Sequence, residues 1–174
     1  LMSLLLLGSI LVGALNVTAA ESISDESFRW QTEQFADLKI LRYQVPGFDS
    51  LPLQHKRLLY YLSQAALSGR DIIYDQNYKH NLSIRRTLET ISRSYKGQRV
   101  GDKWQAFEVY LKRVWFSNGI HHHYSTKKFL PEFDREYLDH LLANSNPQSL
   151  PLEAGESVSD LGKRLGPLIF DPEI

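Results

Sequence analysis

The chain has 174 residues, 43% hydrophobic and 11% aromatic, a composition that argues for a folded chain rather than disorder. Twenty basic and twenty acidic residues cancel, which removes the usual electrostatic case for nucleic acid. Cysteine is absent, so disulfides, zinc-thiolate sites, a cysteine nucleophile and a lipid-bearing cysteine after a leader are all excluded within this sequence.

Residues 1–20 carry no charge and are dominated by leucine. The run from Leu4 to Leu15 has the length of a signal-peptide core and is short for a membrane span. Thr18-Ala19-Ala20 supplies small residues for cleavage before Glu21, so an export signal is expected, with an uncleaved leader as the alternative. The charged leader start is missing and the chain opens on Leu1, which reads as a truncated start. Residues 21–34 are polar and are expected to form a flexible lead-in.

Ala36 to Val45 fits neither the helical nor the strand period, and Pro46-Gly47 breaks it. Ser50 is the expected cap of a helix over Leu53 to Leu67, with Pro52 tolerated in its first turn. That helix should bury Leu58, Leu59, Leu62, Ala65 and Ala66 and end at Gly69. A loop containing Asp75-Gln76-Asn77 follows, then Asn81 or Ser83 as a cap. Ile84, Leu88, Ile91 and Tyr95 recur at helical spacing and are read as core. Lys96 to Lys103 is a charged connector.

The central stretch runs from Trp104 to Pro131. Trp104, Phe107, Leu111, Val114 and Trp115 mark one face of a helix, with Glu108 and Lys112 a turn apart on another. Asn118-Gly119 tolerates positive φ and should stop the helix near Ser117. His121, His122, His123, Tyr124 and Ser125 follow at once, a titratable cluster delivered by a buried scaffold. In a strand His121 and His123 would share one side and could share a metal, with Glu108 or Asp134 as a third ligand. A hydrogen-bonding turn without metal is the plainer expectation. No Gly-x-Ser-x-Gly elbow surrounds Ser117 or Ser125, so no catalytic nucleophile is read. Downstream, Asp134 should cap a helix through Ala143, residues 144–152 form a linker, and a last helix spans about Ser157 to Leu165 before Gly166-Pro167 interrupts it.

Three motifs, Trp-Gln-Ala-Phe-Glu-Val-Tyr (104–110), Phe-Ser-Asn-Gly (116–119) and Lys-Phe-Leu-Pro (128–131), look like the N-terminal region of dipeptidyl peptidase III. Residues 35–77 resemble the bacterial branch of that family, and the likeness continues to Phe170-Asp171-Pro172. These are zinc exopeptidases that release dipeptides from the amino end of peptides, with a His-Glu-x-x-Gly-His helix holding the metal. No His-Glu pair occurs in this sequence, and the family's zinc motif lies far downstream. The resemblance therefore implies an N-terminal piece whose zinc ligands and general base lie outside it.

The expected fold is mainly α, residues 35–174 being the N-terminal helical part of the non-zinc lobe of a larger two-lobed α+β peptidase. By matching positions, the resemblance puts Asn118, His123, Tyr124 and Ser125 nearest the amino-terminal residues of a peptide substrate. Their role would be recognition, with no catalytic residue and no metal ligand here. The implied partners are a peptide and the C-terminal remainder of the same polypeptide, and the implied location is the bacterial periplasm or the exterior. The alternatives are a non-enzymatic helical module binding a metal or peptide through His121 to Tyr124, and a purely structural helical bundle.

Overall fold

The computed structural model describes residues 28–174, so the leader expected over 1–20 lies outside the described residues. Two short strands come first, β1 (Gln31–Phe35) and β2 (Leu38–Leu41), paired antiparallel with Phe35 opposite Leu38 and a bulge near Glu33. Ala36 sits at φ 48° in the connecting turn. Gln31 to Gln34, expected in the lead-in, are thus strand, and the ambiguous stretch after Ala36 begins as one. The hairpin is tied to the rest by ion pairs, Glu33 with Lys112 and Asp37 with Arg113. Lys112 therefore turns to Glu33 rather than to its helical neighbour Glu108.

Six α-helices follow: α1 (Leu53–Ser68), α2 (Arg70–Asn77), α3 (Asn81–Ser94), α4 (Asp102–Ser117), α5 (Arg135–Ala143) and α6 (Val158–Phe170). The mainly α expectation holds. A single turn of 3-10 helix, Pro147–Ser149, interrupts the linker between the last two. The core lies among α3, α4, α5 and α6. Ile84, Leu88 and Ile91 of α3 are fully buried, as their spacing predicts. They meet Phe107, Leu111 and Val114 of α4 and Leu138 and Leu165 of the last pair in one cluster. Each such side chain contributes roughly 1.5–3 kcal/mol by leaving water, which offsets the entropy of ordering these helices.

Two helix starts follow their sequence signals. Asp134 accepts from the Tyr137 amide at 2.8 Å and caps α5. Ser157 and Asp160 form a reciprocal capping box at the start of α6.

Several expectations are corrected. Ser50 does not cap α1; its hydroxyl donates to the Gly47 carbonyl at 2.7 Å, and Pro52 holds the cap position. The apolar set of α1 is not buried. No residue of this helix is, and Leu58 and Leu62 are 56% and 57% exposed, because only α2 lies alongside it to any extent. Asp75 to Asn77 close α2 rather than forming a loop. His80, not Asn81 or Ser83, precedes α3, and Asn81 is spent on a distant turn described below. Trp115 is 37% exposed, with its indole N–H donating to Glu89 at 3.0 Å.

The last helix runs through Gly166-Pro167 to Phe170. Leu161, Leu165 and Ile169 form one buried row across the proline, and Phe170 packs edge-on to Phe133. Their burial offsets the donor that Pro167 lacks. Gly166 lies under the guanidinium of Arg135, where a Cβ would come within 1.6 Å of Nη1. Arg135 uses that gap to reach the Gly162 carbonyl at 2.7 Å.

Candidate functional site

The site begins where α4 ends. Asn118 takes the left-handed conformation at φ 53°, and its amide and that of Gly119 both reach back to the Val114 carbonyl. This engages the Val114 carbonyl twice at the helix terminus and turns the chain sharply. Gly119 is pressed against Asn81, where a Cβ would sit 2.1 Å from Nδ2. The position therefore requires glycine for space as well as for its φ of 150°.

A clamp on this turn comes from α2 and the start of α3. Arg70 Nε approaches Asn118 Oδ1 at 3.4 Å, and its Nη2 approaches the Trp115 carbonyl at 3.4 Å. The Tyr74 hydroxyl donates to the same Trp115 carbonyl, and the Asn77 amide donates to the Asn118 carbonyl. Arg70, Tyr74 and Asn77 recur at helical spacing, so one face of α2 serves the end of α4. A cation there also suits the negative end of the helix dipole. Asn81, 1% exposed, completes the clamp: its Oδ1 accepts from Ile120 N at 3.1 Å and its Nδ2 donates to the Asn118 carbonyl.

Ile120 is fully buried and starts a tight hairpin. Phe129 N donates to its carbonyl, His121 pairs with Lys128, and His122 N donates to the Lys127 carbonyl at 2.8 Å. The second leg is anchored by Lys128 Nζ on the Asp171 carbonyl at 2.6 Å, just beyond α6. The histidines, Tyr124 and Ser125 ride on this hairpin.

Between clamp and hairpin lies an open cavity of about 250 Å³. Asn77, Asn81, Ser117, Asn118 and Gly119 line one side; His121, His122, His123, Ser125 and Thr126 line the other. Of the four residues singled out from sequence, Asn118, His123 and Ser125 share this cavity. Tyr124 does not line it and stands 88% exposed beside His123. Asn77, Asn81, Ser117, Gly119 and Thr126 were not anticipated. Gly119, as part of the Asn-Gly turn, and Ser117, as the last residue before it, had a local signal. The two asparagines lie more than thirty residues upstream, and no pattern links them to the turn.

The lining is amide, hydroxyl and imidazole, with no carboxylate. Burial, and then the nearby Lys128 charge, hold the His121 pKa below its usual range, so its ring favours the neutral form. Tyr124 N donates to His122 Nδ1 at 3.2 Å, which places the proton of a neutral ring on Nε2. The Ser117 hydroxyl is buried with no partner among the described residues. Such a surface can exchange hydrogen bonds with a polar ligand; it holds no nucleophile paired with a base.

His121 and His123 both line the cavity, yet their rings have different neighbours. His121 meets Tyr78 edge-on, whereas His123 packs against Phe116 and Tyr124. His122 and His123 are stacked, with centroids 4.5 Å apart and planes 26° from parallel. In-plane lone pairs so arranged do not converge on one ion. Asp134 is engaged by Lys103 and by the α5 cap. Among the described residues no group of three or more histidine and acidic side chains could hold a metal.

Compared with protein-family models and with curated proteins, the chain matches none.

Proposed function

We propose that this chain is the N-terminal portion of an exported, zinc-dependent dipeptidyl peptidase, contributing a wall of the peptide cleft and no catalytic residue. The observation that carries the reading is the single cavity onto which Asn118, His123 and Ser125 open at the end of α4. The motif order that resembles dipeptidyl peptidase III points to those residues, and the cavity offers acceptors suited to a peptide amino terminus. Asparagine oxygens, a hydroxyl and the His121 imidazole, which burial keeps neutral, can each replace its water. The bare apolar faces of α1 fit a segment that packs against further polypeptide of the same protein.

Among the described residues no cluster of side chains fits zinc, and in this proposal its ligands and the water-activating base belong to the downstream part. What remains here is positioning: the cavity orients the end of a substrate. The test is titration of a short peptide with a free amino terminus into the chain, with the acetylated peptide as control. Saturable shifts of the Asn118, His123 and Ser125 amides with the free peptide alone are expected. Equal response to both peptides, or none, removes the amino-terminal subsite. Chelator-sensitive dipeptide release by the product of the complete gene tests the enzyme reading separately.

A further inference from the structure

Asn118-Gly119 is the one Asn-Gly pair in the sequence. Asparagine before glycine is chemically labile, because no side chain hinders attack by the following backbone nitrogen. In that reaction Gly119 N loses its proton and bonds to Asn118 Cγ. The Cγ–N bond breaks, ammonia leaves with the proton, and a cyclic succinimide remains. Water then opens either carbonyl, leaving aspartate or isoaspartate. No reagent beyond solvent is needed.

The fold opposes this reaction by engaging the attacking nitrogen and by fixing the conformation of the turn around Asn118. Gly119 N–H is held by the Val114 carbonyl at 3.0 Å, so the nucleophile is engaged as a donor. The Asn118 side-chain oxygen faces Arg70, and the Asn118 carbonyl receives both Asn77 and Asn81. Left-handed backbone at Asn118 is fixed by these contacts, so the side chain cannot swing freely toward its own C-terminal nitrogen. We propose that Asn118-Gly119 is a latent deamidation site that α2 keeps closed, so that modification of this turn is gated by release of α2.

The consequence would fall on the histidine hairpin. Isoaspartate inserts an extra methylene into the backbone between residues 118 and 119. Gly119 already lacks space for even a Cβ against Asn81, so the added atom must displace the turn. Ile120 and the cavity walls beyond it would move with it.

The experiment incubates the 174-residue chain in mildly alkaline buffer, folded or in urea, and maps isoaspartate by peptide digestion. The unfolded chain should convert Asn118 ahead of every other asparagine, and the folded chain about tenfold more slowly or less, since reaction then waits on local opening. Arg70→Ala, at an exposed position, should speed conversion severalfold in the folded state and leave the rate in urea unchanged. Tyr74→Phe, which removes only the hydroxyl contact to Trp115, provides a second reading of the same gate. Equal rates for folded and unfolded wild type overturn the proposal, as does absence of isoaspartate at Asn118 in urea. So does a folded Arg70→Ala chain, intact by near-ultraviolet circular dichroism, that reacts no faster than wild type.

Discussion

Asn81 Oδ1 accepts the Ile120 amide at 3.1 Å, joining the first residue of α3 to the chain just past α4. Both residues are buried, and Asn81 Oδ1 is the one acceptor this amide has among the described residues. Asn81→Ala should cost about 1–3 kcal/mol through that orphaned donor. Urea unfolding checks this, and the lost amide should show as faster hydrogen exchange at Ile120.

Tyr110 presents the opposite case. It is 2% exposed, and its hydroxyl has no partner among the described residues. Burial alone pushes its pKa well above the usual range, since a phenolate would be stranded there. Tyr110→Phe keeps the ring packed against Phe133 and removes an unpaired polar atom. The variant should be neutral or more stable by about 1 kcal/mol, read as a higher urea midpoint.

Arg135 and Gly166 are predicted to be coupled. Gly166→Ala places a methyl where the guanidinium lies, which detaches Arg135 from the Gly162 carbonyl. A loss of roughly 1–2 kcal/mol is expected, with most of it absent when Arg135 is already alanine. Additive losses in that double-mutant cycle would show that the two residues act independently.

Acidification should weaken the fold before the carboxylates titrate. His121 is held below its ordinary value of 6.5 by burial and by Lys128; His80 is lowered by burial and by Lys79 and Arg164, with Glu153 opposing. A histidine whose folded pKa is depressed contributes stability above its unfolded pKa, and that contribution is lost as pH falls through the folded value. The decline should therefore begin near 6.5 and continue below it. Asp134 and Asp71, lowered from 3.8 by Lys103 and Arg86 respectively, act only at more acid pH. Urea midpoints taken from neutral to mildly acid buffer should fall, and His121→Gln should flatten part of that slope.

The exposed leucines of α1 should make the chain self-associate. Leu58→Glu with Leu62→Glu removes apolar surface without breaking any internal contact of the buried core. Sedimentation should shift toward monomer, with near-ultraviolet circular dichroism unchanged. A change in that spectrum would mean that α1 does pack internally.

Features encoded over a few residues were legible in the sequence: the row Ile84, Leu88, Ile91, the stop at Asn118-Gly119, the cap at Asp134 and the start of the last helix near Ser157. Each rests on helical spacing or on a side chain that bonds its own next turn, interactions that need no distant partner. The histidine cluster was visible as a run of titratable residues, and of the four residues that the family resemblance indicated, Asn118, His123 and Ser125 lie on the one cavity.

Tertiary structure decided the rest. Periodicity marks an apolar face on α1 as well as on α3, but whether another element lies against that face is set elsewhere in the chain. Pro167 is a local stop signal, overridden because Ile169 joins the buried core and Phe170 packs on Phe133, in the segment before α5. Asn77 and Asn81 became part of the site only because α2 and α3 fold back onto the end of α4, a hydrogen-bonding relation across some forty residues that no local pattern carries.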